Sequence, residues 1–175
     1  RPSKESPFSF KNAEKPHEIL PVAIIGGGIA GLYASVYTGM AGYKTVVFAG
    51  LGDTGGLLNQ SHDVRNFPGD LATPGSTITG RLREQAQNAG ATISFEKVTA
   101  INTKTWPYTL SLIDSAGTTR SMRVATCIVA MGTTPNYLNI PGEQTFWGRG
   151  VTNCALCDGS LYRNKTVAII GGGDS

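Results

Sequence analysis

The chain has 175 residues, a formal net charge of +3 and 23 glycines, with 40% hydrophobic and 15% charged residues. This composition is typical of a folded globular protein with one domain, or with one domain and part of another. The scattered basic residues argue against nucleic-acid binding, and no apolar run reaches the roughly 20 residues needed to span a bilayer.

The number and spacing of the cysteines indicate the cellular compartment of the protein. Only three cysteines occur, Cys127, Cys154 and Cys157. They are too few for the disulfide framework of a secreted protein, and a Cys-x-x-Cys pair in such a chain is typical of a reducing compartment. We therefore expect a cytoplasmic protein, or one of an organellar matrix or plastid if the first residues are the remnant of a transit peptide. Acidic residues within residues 1–18 argue against such a remnant.

The N-terminal half begins with an alternation of strand and helix. Residues 1–18 are rich in proline and polar side chains and are predicted to be a tail or linker. Leu20 to Ile25 is an apolar run that predicts a buried parallel strand. Gly26 to Gly31 follows, and apolar residues at four-residue spacing up to Met40 predict a helix. Thr45 to Phe48 predicts a second strand.

This order of strand, glycine loop, helix and strand is that of a dinucleotide-binding unit. The glycines permit a sharp turn and let the backbone approach a pyrophosphate, which the helix N-terminus faces. The acidic residue that usually binds the ribose at the end of the second strand is missing, and Asp53 comes too late for it. We expect the backbone of the loop from Phe48 to Asp53 to contact the ribose instead.

The middle of the chain predicts a loop, a helix and several short strands. Residues 55–69 form a Gly- and Asn-rich loop, which is either functional or a surface excursion. Ser76 to Ala89 predicts a helix with Arg81, Arg83 and Glu84 on its solvated side. Short strands are then predicted at Thr92–Phe95, Val98–Ile101, Thr109–Ile113, Met122–Val124 and Cys127–Gly132. Cys127 is expected to be a core residue, because a buried free cysteine behaves as a small hydrophobe.

Cys154 and Cys157 carry the clearest chemistry. They lie two residues apart, and Asp158 follows directly. A closed zinc site needs four ligands, usually in two pairs, and the remaining cysteine and the two histidines are not paired in sequence. A purely structural disulfide is disfavoured, because closing so short a loop gains little stability. The pair is therefore predicted to be redox-active, with a carboxyl group beside it that can move protons.

A repeated heptapeptide follows the cysteine pair. Val167 to Gly173 repeats Val22 to Gly28 word for word. The repeat predicts a second nucleotide-binding turn, with Val167–Ile170 as its strand. The helix that should cover this strand is not in the sequence, so we expect the chain to be a fragment or one piece of a longer polypeptide.

Several motifs in order and spacing resemble one family. They are Gly26–Gly31, Asn66–Gly69, Ala130–Gly132, Ile140–Glu143, Gly150–Val151, Cys154–Gly159 and Gly171–Ser175. Together they resemble the low-molecular-weight thioredoxin reductases, which are FAD- and NAD(P)-dependent pyridine nucleotide-disulfide oxidoreductases. The resemblance implies an α/β fold with a Rossmann-type FAD-binding domain at 19–143, built on a parallel sheet with a β-meander insertion. The start of a second Rossmann-type domain, for NAD(P), is implied at 144–175, after the tail or linker 1–18.

The resemblance also implies an activity. A thioredoxin-disulfide reductase passes electrons from NADPH through FAD to the Cys154/Cys157 pair and on to thioredoxin or a similar protein disulfide, as a homodimer. Cys157 would react with the flavin, Cys154 would attack the substrate disulfide, and Asp158 would manage the protons. One alternative is an NADPH-independent flavoprotein of the same fold, either ferredoxin-linked or a dithiol oxidase that uses oxygen. Another is a non-catalytic flavin-binding module; the residues that select the electron donor would lie beyond Ser175.

Cofactor residues follow from the same resemblance. The expected FAD site comprises Gly26, Gly28, Ile29, Ala30, Gly31, Ala49, Gly50, Gly55, Gly56, Leu57, Leu58, Asn59, Asn66, Val98, Ala130, Met131 and Gly132. The pyridine nucleotide is expected at Gly171, Gly173, Asp174 and Ser175, and no metal site is expected. Leu57 and Met131 stand where the family usually has Gln and Thr, so each is expected to remove a polar contact with FAD.

Overall fold

A six-stranded sheet in the order β3-β2-β1-β6-β5-β4 forms the centre of the computed structural model, which describes residues 19–173. The strands are β1 (Leu20–Ile25), β2 (Thr45–Phe48), β3 (Thr92–Ser94), β4 (Lys97–Asn102), β5 (Tyr108–Ile113) and β6 (Thr119–Val129). The helices are α1 (Ile29–Met40), α2 (Gly75–Asn88), α3 (Glu143–Phe146) and α4 (Ala155–Asp158), with 3₁₀ turns at Gly56–Gln60 and Gly159–Tyr162. The predicted tail at 1–18 lies outside the described residues.

Strands β3, β2, β1 and β6 are parallel, and they hold the dinucleotide-binding order predicted from the sequence. The first two predicted strands and the first helix are confirmed. The predicted helix Ser76–Ala89 is confirmed as α2, which is shifted by one residue. These elements were predictable because each carries its own apolar periodicity.

Strand β6 joins the parallel and antiparallel parts of the sheet. Its first half pairs antiparallel with β5, and its second half pairs parallel with β1. The separate strands predicted at Met122–Val124 and Cys127–Gly132 are therefore one strand that ends at Val129, and the prediction of two was wrong. Ala125 and Thr126 separate the two apolar runs and hid the continuity, since backbone pairing does not require large apolar side chains. The β-meander is thus part of the same sheet.

Alternate residues of β1 belong to two apolar clusters on opposite faces of the sheet. Ile24 packs with Val47 on the face that α1 approaches. Ala23 and Ile25 pack with Leu110 and other buried residues of β2, β5 and β6 on the opposite face. Helices α1 and α2 share a third cluster of their own. The sheet is therefore covered on both faces around β1, as a parallel strand requires.

The segment after β6 is held by a buried carboxylate. Glu143 is 5% exposed, and it accepts hydrogen bonds from the backbone N–H groups of Leu138 (2.9 Å) and Asn139 (2.6 Å). The rings of Tyr137 and Trp147 meet edge to face at 5.0 Å. These contacts fix the path of the chain between the sheet and the cysteine pair.

The predicted strand Val167–Ile170 does not form. These residues have no strand assignment, and Ile169 is 87% exposed. A β-strand needs a partner for its backbone N–H and C=O groups, and an apolar run alone does not supply one. The prediction of a strand at this position was wrong.

Candidate functional site

The carboxyl ends of β1, β2 and β6 meet at one edge of the sheet. Gly26 N donates to Phe48 O (2.9 Å), and Ala130 N donates to Ile25 O (2.8 Å). The loop after β2 returns to the same place, where Gly55 N donates to Gly27 O (2.7 Å). In open α/β sheets ligands bind at this edge. Three of the predicted cofactor segments therefore lie together.

Two glycines of the first turn are required by packing. Gly26 has φ +117°, and a Cβ there would lie 2.1 Å from the carbonyl oxygen of Ala130. A Cβ at Gly31 would lie 1.9 Å from the carbonyl oxygen of Gly26. Gly28 is different, because the nearest atom to a Cβ there is Gly56 Cα at 3.9 Å. Its missing side chain leaves open space at the start of α1.

The N-terminus of α1 has no side-chain cap. Gly28 is the N-cap residue, and no acidic side chain lies in the first turn. The first amides of a helix, here those of Ile29, Ala30 and Gly31, have no intrahelical acceptor, and they carry the positive end of the helix dipole. Open space at Gly28 beside these amides suits an anionic group such as a pyrophosphate.

The loop after β2 is fastened to the strand beside it. Ala49 N donates to Ser94 O (2.8 Å), and Gly50 N donates to Glu96 O (3.2 Å). The Glu96 carboxylate accepts two hydrogen bonds from Arg120, both at 2.6 Å. These hydrogen bonds lower the pKa of Glu96 and raise that of Arg120. Ala49 and Gly50 are thus held beside Ser94 and Glu96, and Glu96 lies two residues before Val98 in the sequence.

Some of the remaining predicted FAD residues are exposed to solvent, whereas another contacts a helix. Leu57 and Met131 are 47% and 70% exposed, and Asn66 is exposed as well. Asn59 is directed towards α2, where its Oδ1 accepts a hydrogen bond from Thr79 (3.0 Å). Asn59 therefore fastens the loop to the helix, and this amide oxygen is engaged within the protein.

A polar pocket of about 240 Å³ adjoins this loop. It is lined by Asp53, Thr54, Asn59, Ser76, Thr79, Gly80 and Arg83. Of these, the sequence placed only Asn59 among the cofactor residues and assigned Arg83 to a solvated surface. The buried hydroxyls of Thr54 and Thr79 were missed, because isolated threonines in a loop and a helix carry no pattern of their own.

Cys154 and Cys157 form a disulfide with a Cα–Cα distance of 5.2 Å. Cys157 N donates to Cys154 Sγ (3.2 Å), and Asp158 N donates to Cys154 O (3.0 Å). Cys154 and Asp158 are half-buried, whereas Cys157 is exposed. The three predicted catalytic residues are therefore assembled around one turn of helix.

Thr152 completes this group and was missed in the sequence. Its Oγ1 donates to Asp158 Oδ2 (2.5 Å) and accepts from Cys154 N (3.1 Å). Because a threonine hydroxyl is both donor and acceptor, one side chain can connect the cysteine backbone to the carboxylate. A hydroxyl residue just before a short helix is a signal for such capping contacts.

Cys127 is separate from this chemistry. It is half-buried against the cluster around Ile25, and burial raises the pKa of its thiol. A thiol of raised pKa stays protonated and is a poor nucleophile. Across residues 19–173 no three or more His, Cys, Asp or Glu side chains group so as to hold a metal ion. Over the same span no helix is long and apolar enough to cross a membrane.

The second glycine turn shares a backbone feature with the first. Gly171 has φ +103°, close to the +117° of Gly26. The neighbourhood differs, because a Cβ built at Gly171, Gly172 or Gly173 meets nothing within 4 Å. Asp174 and Ser175, which were predicted to bind the pyridine nucleotide, lie outside the described residues.

Comparison with known proteins identifies the family. A family model described as pyridine nucleotide-disulphide oxidoreductase matches residues 20–175. The chain belongs to this family. The Rossmann-type fold and the resemblance stated from the sequence motifs are thereby confirmed.

Individual relatives match at similar levels. A glucosaminate ammonia-lyase of Pseudomonas fluorescens is 37% identical over 88% of this chain and 47% of the relative. A thioredoxin reductase of Dictyostelium discoideum is 36% identical over 90% of this chain and 51% of the relative. The solved structure of a thioredoxin reductase from Giardia duodenalis has a TM-score of 0.73 and 33% identity, over 81% of this chain and 44% of that one. The chain spans about half the length of the curated relatives that it matches.

Proposed function

We propose that the protein is a flavin-dependent disulfide reductase of the thioredoxin reductase type. Electrons would pass from NADPH through FAD to the Cys154–Cys157 disulfide, and from there to thioredoxin or a similar protein disulfide. The two curated relatives carry names for different activities at nearly equal identity, so their names do not choose between the activities. The choice rests on the Cys154–Cys157 disulfide, with a carboxylate in the same turn.

The residues at the sheet edge fit FAD. The uncapped N-terminus of α1 and the open space at Gly28 suit its pyrophosphate. Ala49 and Gly50, together with the Ala130–Gly132 turn, lie at the same edge and are proposed to line the rest of the cofactor. When bound, FAD would supply the two-electron exchange between a nicotinamide and a disulfide, which cysteines alone cannot perform.

The cysteine turn supports disulfide exchange by this chain's own residues. After reduction, the Cys154 thiolate attacks one sulfur of the substrate disulfide and releases one substrate thiolate. The Cys157 thiolate then attacks Cys154 Sγ, re-forms the internal disulfide and releases the second substrate thiolate. The N–H of Cys157, which already points at Cys154 Sγ, would stabilise the Cys154 thiolate. Asp158 would take the proton released as each cysteine thiol ionises and pass it to the leaving substrate thiolate.

Domain organisation and partners belong to the same proposal. The FAD-binding domain would comprise residues 19–143, and residues 144–175 would begin the NAD(P)-binding domain. NADPH is proposed to use the second glycine turn, which repeats the sequence of the first and its left-handed glycine. We further propose a homodimer in a reducing compartment, such as the cytoplasm, where a dithiol pair can be kept reduced.

The purified holoprotein tests the donor and the cysteine roles together. We expect anaerobic addition of NADPH to bleach the flavin absorbance, and added thioredoxin to be reduced. Cys154→Ser and Cys157→Ser should keep the flavin and its bleaching but lower thioredoxin reduction by at least about 1000-fold, since each cysteine is essential to the exchange.

Cys127→Ser is the matched control, because Cys127 is half-buried and has a raised pKa. Its activity should stay close to that of the wild type. Unchanged thioredoxin reduction in either redox-cysteine variant would overturn the proposed function. Bleaching by reduced ferredoxin or a small dithiol, with none by NADPH, would instead assign the NADPH-independent alternative.

A further inference from the structure

Thr152 lies between the two reactive parts of the cysteine turn. Its oxygen accepts the N–H of Cys154, and its hydroxyl hydrogen is donated to Asp158 Oδ2. A hydroxyl has one hydrogen. Because the oxygen is already engaged by the amide, that hydrogen is directed at the carboxylate.

The two carboxylate oxygens of Asp158 therefore have different hydrogen-bonding partners. Oδ2 is occupied by the Thr152 hydroxyl, so a proton carried by Asp158 sits on Oδ1. The backbone N–H of Asp158 donates to Cys154 O at 3.0 Å, so the carboxylate is also anchored to the turn at its own main chain. Two connections, one through the side chain and one through the backbone, hold the acid in a fixed orientation relative to the disulfide.

The role of Thr152 in the core is small. Its side chain is exposed, and it does not belong to the buried clusters that join the sheet and helices. Removing its hydroxyl should therefore leave the fold intact while it releases the carboxylate. An exposed side chain whose contacts are directed at two reactive residues is better explained by positioning than by stability.

We propose that Thr152 is a positioning residue that holds Asp158 in the orientation needed to protonate the leaving thiolate. The inference rests on the proposed function only in taking the Cys154–Cys157 disulfide to be redox-active. The relevant step is thiol–disulfide exchange: an incoming thiolate forms a bond to one cysteine sulfur, the bond between the two sulfurs breaks, and the departing sulfur takes a proton from Asp158.

Reduction of the protein disulfide by dithiothreitol tests this step without NADPH or thioredoxin. Dithiothreitol is oxidised to its cyclic disulfide while Cys154 and Cys157 become thiols. The rate is measured in the anaerobic holoprotein by acid quenching, alkylation and mass spectrometry. We expect Thr152→Val to slow it about tenfold, the equivalent of one hydrogen bond to a charged group. Thr152→Ser, which keeps the hydroxyl, should stay within about twofold of the wild type.

A double-mutant cycle separates positioning from a merely structural effect. Asp158→Asn should be slower than Thr152→Val, and adding Thr152→Val to Asp158→Asn should cause no further loss, because both act through one carboxylate. Thr145→Val is the matched control: Thr145 is an exposed threonine of α3, and the rate should not change. Flavin content and melting temperature should match those of the wild type in all five variants.

The inference is overturned if Thr152→Val reduces as fast as the wild type. It is equally overturned if Thr152→Ser is as slow as Thr152→Val, or if the loss persists undiminished in the Asp158→Asn background. Failure of the proposed function is a separate outcome, since a protein that does not reduce thioredoxin with NADPH can still show the predicted pattern with dithiothreitol.

Discussion

One heptapeptide occurs twice in this chain and has two different structures. In the first copy, Val22–Gly28, strand β1 is buried between two parallel neighbours, and Ile24 is 0% exposed. In the second copy, Val167–Gly173, no strand forms, and the matching Ile169 is 87% exposed. The glycine that begins each turn has a similar positive φ in both copies, +117° at Gly26 and +103° at Gly171. Local sequence fixes the turn, whereas the strand depends on its neighbours.

The largest expected difference in stability is between alanine substitutions at these two glycines. Gly26→Ala should destabilise the holoprotein by about 4 kcal/mol or more, because it adds a clash with the Ala130 carbonyl to the cost of a positive φ. Gly171→Ala meets no neighbour and should cost only about 1 kcal/mol, from φ alone. Urea denaturation measures both. Equal losses would mean that the second turn is as closely packed as the first.

A smaller difference is expected between the matched isoleucines. Ile24→Ala removes fully buried methyl groups and should cost about 2–4 kcal/mol, whereas Ile169→Ala should change stability by no more than about 0.5 kcal/mol. Thermal melting of the two holoproteins checks this, with the wild type as the reference. A loss at Ile169 as large as that at Ile24 would contradict its exposure and show that a partner covers the second copy.

The smallest effect concerns the ion pair beside the first copy. Arg120 lowers the pKa of Glu96 from its ordinary 4.5, so the pair's stabilisation is present above that pH and is lost as the pH falls through the lowered value. Glu96→Gln should therefore cost less than about 1 kcal/mol at neutral pH and should flatten the loss of stability below about pH 4.5.

Urea midpoints measured across this acid range give the comparison. Asp63→Asn is the control, because Asp63 pairs with Arg65 in a more exposed position, with side-chain exposures of 41% and 63%. Its acid profile should follow that of the wild type. A Glu96→Gln profile that also overlays the wild type would show that this ion pair does not hold the loop after β2.

Most of the α/β fold was predictable from local patterns, and the exceptions have one cause. Strand β1 and helix α1 follow from apolar periodicity and glycine placement. The same reasoning failed at Val167–Ile170 and divided β6 in two, because strand formation depends on backbone partners distant in sequence. The same distinction between local pattern and distant contacts applies to the residues of the candidate site. Cys154, Cys157 and Asp158 were proposed from their spacing, whereas the hydrogen bonds of Thr152 with Asp158 and of Thr79 with Asn59 are visible only in the folded chain.

Strand β6 also limits how the length of this chain can vary. At Val124 it pairs with Leu20 on one side and Tyr108 on the other, so the two parts of the sheet share a single register. Inserting or deleting one residue within β6 would turn every side chain on one side of the change to the opposite face. The turn at Asp114–Thr118 is constrained as well, because the Asp114 carboxylate accepts hydrogen bonds from the N–H groups of Ala116 (2.9 Å) and Thr118 (2.8 Å), so an insertion there would have to replace these contacts.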